Sequence, residues 1–131
     1  MARYDLSASA EHRRALQGKW LMIRYEKDGV VSKSPLHSLP RDLLTISGNS
    51  FQIALPGRSP SDEGTFVLDA DTIPRAITWV TLVGEKAGSP LRGIYDLLGD
   101  RLTLVTADPF QPQPTEFRGR EGYTLRCFIR A

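Results

Sequence analysis

The chain has 131 residues, of which 40% are hydrophobic and 24% charged, and this is the ordinary composition of one globular domain. Its 17 basic and 15 acidic residues leave a formal charge of +2, too weak a field to recruit nucleic acid or an anionic membrane nonspecifically. With a single cysteine, Cys127, and no apolar run long enough to span a membrane, the chain lacks a disulfide framework, and we expect it to be cytoplasmic.

The predicted elements are one short helix followed by eight strands. Good helix formers after Ser9 predict a helix over residues 8–16, within an N-terminal segment of residues 1–17. From Gly18 onward, short runs rich in β-branched and aromatic residues alternate with Gly, Pro, Asp and Ser, a pattern typical of strands. We predict strands at 18–26, 43–47, 50–55, 64–69, 76–83, 90–98, 101–107 and 124–130, all in one barrel domain of residues 18–131.

The links between these strands predict how they are arranged. The dipeptides GN at 48–49 and GD at 99–100 are typical of tight antiparallel hairpins. In an up-and-down order, one end of the sheet then has links of about 2, 6 and 2 residues, and the other end has links of about 16, 8, 6 and 16. Eight such strands predict an all-β, antiparallel up-and-down barrel that holds either packed side chains or one small ligand.

The triplet GKW at residues 18–20, which follows the short helix, resembles the first strand of lipocalins and related calycin barrels. The series LQGKW, YEKDG, GNSF, EGTFVLD, GIYDLLGDRLTL and PTEF also resembles an uncharacterised lipocalin-like domain family known mainly from planctomycetes and other bacteria. In lipocalins the tryptophan plugs the closed end, and an arginine near the end of the last strand packs over its ring. The resemblance implies these structural roles for Gly18, Trp20 and Arg130, and it implies no particular activity.

Side-chain alternation predicts which residues face the barrel interior. In the first strand, Trp20, Met22 and Arg24 share one face, and the opposite face carries an apolar stripe that needs a cover from the helix or a second subunit. For the other strands, the predicted inward sets are Phe51/Ile53/Leu55, Ile77/Trp79/Thr81/Val83, Leu91/Gly93/Tyr95/Leu97, Leu102/Leu104 and Leu125/Cys127/Ile129.

No residue pattern points to catalysis or to a bound metal. Cys127 lacks a histidine in a suitable pattern, and the two histidines, His12 and His37, lie on a charged helix face and in a loop. Tyr95 and Cys127 are the formal candidates for a haem ligand, but packing is the ordinary role of both residue types. We expect no catalytic residue and no cofactor, which makes an enzyme the weakest of the three uses considered.

Arg24 has three interpretations that sequence leaves open. It pairs with Glu26 on its own face, it faces solvent, or it binds the anionic group of a ligand, because an unpaired guanidinium in an apolar interior is costly.

The leading functional hypothesis is a barrel that binds a small, largely apolar ligand, with Arg24 selecting a carboxylate or another anionic group. The expected ligand contacts are Arg24, Ile53, Trp79, Tyr95, Phe110, Phe117 and Leu125. Of these, Phe110 or Phe117, in the loop of residues 107–123, is expected to act as a lid. The alternative is a protein-interaction module whose barrel is filled by side chains. The oligomeric state is left open by both hypotheses.

Overall fold

A computed structural model describes residues 8–31, 42–54, 60, 62–83 and 87–131, except for the side chains of Val31 and Val83. These residues form one helix and nine strands. The elements are α1 (Ala8–Leu16), β1 (Gly18–Lys27), β2 (Val30–Val31), β3 (Leu43–Ser47), β4 (Ser50–Ala54), β5 (Asp62–Asp69), β6 (Ala76–Val83), β7 (Pro90–Leu98), β8 (Arg101–Ala107) and β9 (Tyr123–Arg130).

The strands form one antiparallel sheet that closes on itself. Neighbours follow the order β2-β1-β3-β4-β5-β6-β7-β8-β9, and β9 pairs back with β1, so that eight strands make a closed up-and-down barrel. The predicted fold class and both tight hairpins are confirmed, with Gly48 and Gly99 at φ values of 62° and 59°. The short β2 was not predicted. It follows a turn in which Asp28 and Gly29 have φ values of 55° and 84°, as an Asp-Gly hairpin turn requires.

The narrow end of the barrel is closed by Trp20, whose side chain is fully buried. The Arg130 guanidinium lies 3.8 Å from the centre of the indole ring, which is a close cation–π contact. Arg130 also donates hydrogen bonds to the carbonyls of Ala15 and Gln17, at 2.6 and 2.7 Å, and Trp20 Nε1 donates to the carbonyl of Leu16 at 2.9 Å. Three successive carbonyls at the end of α1, which have no partner within the helix, are therefore satisfied by the barrel.

Gly18 permits this arrangement. Its φ is 112°, a backbone conformation that residues with a side chain rarely adopt, and an added Cβ atom would lie 3.3 Å from Arg130 Nη1. The structural roles implied for Gly18, Trp20 and Arg130 fit this geometry.

Helix α1 lies across the closed end and is held there by polar contacts. His12 Nδ1 and Tyr95 Oη are hydrogen-bonded at 2.9 Å, and the Ala70 N–H donates to Ser9 Oγ at 2.9 Å. The Gln17 amide both donates to and accepts from the Gly48 backbone, at 3.1 and 2.6 Å. The helix thus contacts several strands and the first tight hairpin at once.

The lower half of the barrel is filled by side chains. Trp79 stacks on Phe51 with ring centres 3.9 Å apart, and Phe66 lies beyond it at 6.2 Å. The space left in this region has a volume of only about 10 Å³. The predicted inward sets of β4, β6, β7 and β8 are confirmed for their described members, whereas Leu55 and the Val83 side chain lie outside the described residues.

Two strands differ from the predicted alternation. In β1, a bulge at Ile23 shifts the register between Met22 and Arg24, so Trp20 and Met22 face inward but Arg24 does not. In β9, the inward set of Leu125, Cys127 and Ile129 was wrong. Leu125 and Cys127 pack on the outer wall in a second apolar cluster, which comprises Ile94, Val105, Ala107, Tyr123, Leu125 and Cys127.

The segment 108–122 lies along the outer wall of the barrel rather than over its mouth. Gln113 Nε2 donates to the Gly93 carbonyl at 2.5 Å, and Tyr123 Oη donates to the Pro112 carbonyl at 3.0 Å. Farther along, Gly119 passes so close to Glu26 that an added Cβ would lie 2.9 Å from the Glu26 Cβ. This segment covers the outer apolar cluster, which explains why the outward face of β9 is apolar.

We predict that Trp20→Ala lowers the free energy of unfolding by about 3–5 kcal/mol, because it empties the closed end of the core. Arg130→Ala should cost about 2 kcal/mol, since it removes both the ring contact and two hydrogen bonds to the helix. Urea denaturation of both variants and of the double variant measures the coupling. Strictly additive losses would contradict a direct Trp20–Arg130 interaction.

A second prediction concerns alkaline pH. Burial raises the pKa of Tyr95 from 10.0 to about 12, with Arg75 opposing the shift and Asp69 adding to it. Between these pH values the folded protein keeps a proton that the unfolded chain releases, so the free energy of unfolding should fall as pH rises. The slope from this residue reaches about 1.4 kcal/mol per pH unit. Denaturation series across this range should show a shallower decline for Tyr95→Phe, and equal slopes would refute the assignment.

Candidate ligand-binding site

The upper half of the barrel contains a cavity of about 150 Å³ at the end that carries the long connections. Seven strands contribute to its wall. The lining residues are Tyr25, Lys27, Ile53, Asp62, Trp79, Thr81, Leu91, Thr106, Thr124 and Arg126. We call this space the mouth cavity.

The floor of the mouth cavity is apolar. Trp79, Ile53 and Leu91 are nearly inaccessible to solvent, and Trp79 also belongs to the packed aromatic stack below. A ligand in the cavity would therefore rest on a rigid surface, because the stacked rings leave almost no space beneath them.

Arg126 is the main cation of the cavity wall. It donates to Thr106 Oγ1 at 3.4 Å, and its guanidinium lies 5.4 Å from the centre of the Tyr25 ring. Burial lowers the pKa of Arg126, while Tyr25 and nearby carboxylates, Asp62 first among them, oppose the shift. Among the described residues, no carboxylate forms an ion pair with Arg126. Within the described part of the chain, the direct partners of this positive charge in the cavity are therefore neutral, namely the Thr106 hydroxyl and the Tyr25 ring.

Asp62 carries the opposite charge on the opposite wall. It lies on β5, and three strands separate β5 from β9 in either direction around the barrel. Lys27 stands on β1, which pairs directly with β9, so both cations belong to one side of the cavity. The hydroxyls of Thr81, Thr106 and Thr124 complete the polar lining. The result is a dipolar cavity with a cationic wall facing a carboxylate.

The structure brings two of the predicted ligand contacts into the mouth cavity, Ile53 and Trp79. Tyr95 lies deeper, against His12 and the small space at the closed end. Leu125 is on the outer wall. Phe110 is fully exposed and Phe117 is 40% exposed, and neither lines the mouth cavity, so the structure does not place either ring as a lid.

Arg24 forms a structural ion pair outside the cavity, as the first of its three interpretations proposed. Its Nε and Nη2 atoms lie 2.7 and 2.5 Å from Glu26 Oε2. Glu26 is buried under Gly119, so the guanidinium compensates a carboxylate that has little access to water. The predicted ligand contact through Arg24 is not what the geometry supports.

Sequence reasoning missed four charged or aromatic residues of the cavity, Tyr25, Lys27, Asp62 and Arg126, and the threonines Thr106 and Thr124. A signal for Arg126 was available, because a residue four positions before Arg130 shares its face in a regular strand. No comparable signal marks Tyr25 and Lys27, since their inward orientation depends on the bulge at Ile23.

Other chemistry finds little support in the described residues. No group of three or more His, Cys, Asp or Glu side chains is placed to hold a metal ion within residues 8–31, 42–54, 60, 62–83 and 87–131. Burial raises the pKa of the Cys127 thiol, and a hydrogen bond with Thr103 opposes the shift. A raised pKa disfavours the reactive thiolate at neutral pH. In the same described part of the chain, no helix is long and apolar enough to cross a membrane.

Comparison of the chain with protein-family models, with curated proteins and with solved structures finds no match. The site is therefore interpreted from its own geometry.

If Arg126 is present for ligand binding rather than for folding, removing its charge should stabilise the empty protein. We predict that Arg126→Met raises the free energy of unfolding by about 1 kcal/mol, since a confined cation whose described partners are all neutral costs solvation energy. Arg24→Met is the matched control and should lower stability by about 1–2 kcal/mol, because it leaves Glu26 buried and unpaired. Urea denaturation at neutral pH measures both, and a loss of stability in Arg126→Met would assign that residue a structural role.

Proposed function

We propose that this chain is a lipocalin-like barrel that binds a small ligand in the mouth cavity. The observation that carries the proposal is the contrast between the two halves of one barrel. The lower half is packed to a residual space of about 10 Å³, whereas the upper half keeps a polar-walled cavity of about 150 Å³. Protein interiors are normally close-packed, so a cavity of this size with six polar or charged side chains on its wall favours a binding role.

The cavity limits the size of the ligand. One water molecule, which has one non-hydrogen atom, requires on the order of 15 Å³ of cavity volume. The mouth cavity of about 150 Å³ therefore accommodates a molecule of about ten non-hydrogen atoms. It is smaller than the roughly 300–1,000 Å³ of pockets that take drug-sized molecules. The proposed ligand is therefore short, with an apolar part on the Trp79 floor and polar groups at the wall. A long-chain fatty acid does not fit this volume.

The test fills the cavity without changing the outer surface. Thr81 lines the cavity and is buried, while Thr78 lies on the same strand and is exposed, so Thr81→Phe and Thr78→Phe are a matched pair. A library of carboxylates, amines and alcohols with up to about ten non-hydrogen atoms is titrated into the isotopically labelled full chain and followed by NMR.

We predict that binders shift the resonances of cavity residues in the wild type and in Thr78→Phe, and that Thr81→Phe abolishes these shifts. Binding that survives Thr81→Phe, or a library without any binder, would reject the mouth cavity as a ligand site.

A second candidate is a protein-interaction module. The observation in its favour is Phe110, which exposes its whole ring at a φ of 72° and borders an external groove of about 440 Å³ between β7 and the segment 108–112. A bulky residue is rarely held in this backbone conformation. This candidate takes the leading place if the cavity proves unable to bind any small molecule.

A further inference from the structure

We propose that the ligand of the mouth cavity is a zwitterion of the amino-acid class, with its carboxylate at Arg126 and its ammonium group at Asp62. The inference rests on the proposed function of the cavity and names the chemical class that the cavity selects. It is carried by the placement of opposite charges on opposite walls of one small space.

The cationic wall is suited to a carboxylate. A guanidinium has several N–H donors in one plane, and in the described contacts of Arg126 only Thr106 receives a hydrogen bond from it, at 3.4 Å. Donors directed into the cavity can engage both oxygens of a carboxylate. Lys27, at the rim of the same wall, adds a second positive charge, and the hydroxyls of Thr106 and Thr124 add neutral hydrogen-bonding groups.

The acidic wall is suited to an ammonium group. Asp62 contributes to the electrostatic environment of Arg126 but makes no ion pair with it in the described structure. The two charges therefore face each other across the cavity instead of neutralising each other by contact. As far as the described residues are concerned, a ligand with only a carboxylate would leave Asp62 uncompensated, and a ligand with only an ammonium group would leave Arg126 uncompensated.

The floor and the volume of the mouth cavity determine the apolar part of the ligand and its size. Ile53, Trp79 and Leu91 form an apolar surface between the charged walls, which fits a short aliphatic side chain. An aliphatic amino acid of up to about ten non-hydrogen atoms offers a group of opposite charge to each wall and an apolar part to the floor.

The experiment uses the 131-residue chain and three probes that share one isobutyl group. L-Leucine carries both charges, 4-methylpentanoate carries only the carboxylate, and 3-methylbutylamine carries only the ammonium group. Affinities are measured by NMR titration at neutral pH and low salt. The variants are Arg126→Met and Asp62→Asn, and the controls are Arg101→Met and Glu63→Gln, whose side chains do not line the cavity.

We expect leucine to bind about tenfold or more tightly than either singly charged probe, because each charged hydrogen-bonding partner adds to affinity. Arg126→Met should lower the affinity for leucine to that for the amine and should leave the affinity for the amine unchanged. Asp62→Asn should lower the affinity for leucine to that for 4-methylpentanoate and should leave the affinity for 4-methylpentanoate unchanged. Both control variants should retain the preference for leucine.

The result that overturns this inference is binding of the probes in a Thr81-dependent manner with no preference for the zwitterion. A preference for leucine that persists in Asp62→Asn would equally overturn it. In both cases the mouth cavity would remain a ligand site of another specificity. By contrast, the absence of any Thr81-dependent binding, from these probes and from the wider library, would reject the proposed function together with the inference.

Discussion

The contact between Arg130 and Trp20 aligns the last strand of the barrel with the first. These two residues are register partners in the β1–β9 pairing, and a closed sheet has no free edge along which its strands can slip. The same guanidinium binds the carbonyls at the end of α1, so the helix, the first strand and the last strand meet at one side chain. One side chain therefore links the closure of the barrel to the position of its helical cover.

The closed end also explains how the barrel can keep a polar cavity. Aromatic packing around Trp79 and the helix contacts concentrate apolar burial in the lower half, where β-barrels of this size hold side chains rather than ligand. Stability gathered there permits threonines, an arginine and an aspartate to occupy inward positions near the mouth. Structural and ligand-binding demands are thus separated along the barrel axis.

The barrel could be predicted from the sequence because its signals are local. Two tight hairpin dipeptides, the unequal link lengths and the GKW triplet were sufficient for the strand order and for the role of Trp20. The wall of the cavity was less predictable, because the apolar face of β9, with Leu125 and Cys127, points outward, whereas Thr124 and Arg126 line the cavity. Hydrophobicity alone therefore orients this strand in the wrong direction. Pairing Arg130 with Trp20 already excluded an inward Leu125, because odd and even positions of a regular strand point in opposite directions. The outer covering by segment 108–122 is a tertiary effect that no local pattern contained.

The bulge in β1 makes the backbone geometry of one residue a determinant of the chemistry of the cavity. Before Ile23 the even-numbered residues of β1 face the interior, and after it the odd-numbered residues do. Tyr25 and Lys27 therefore line the cavity, while Arg24 and Glu26 form their ion pair outside. A variant without Ile23 would restore regular alternation and leave both pairs in place, because Arg24 would then follow Met22 directly and point to the opposite face. A strand that kept all its residues but lost the bulge would instead turn Arg24 and Glu26 into the cavity. A substitution at Ile23 that removed the bulge would therefore change the chemistry of the cavity without altering any residue of its wall.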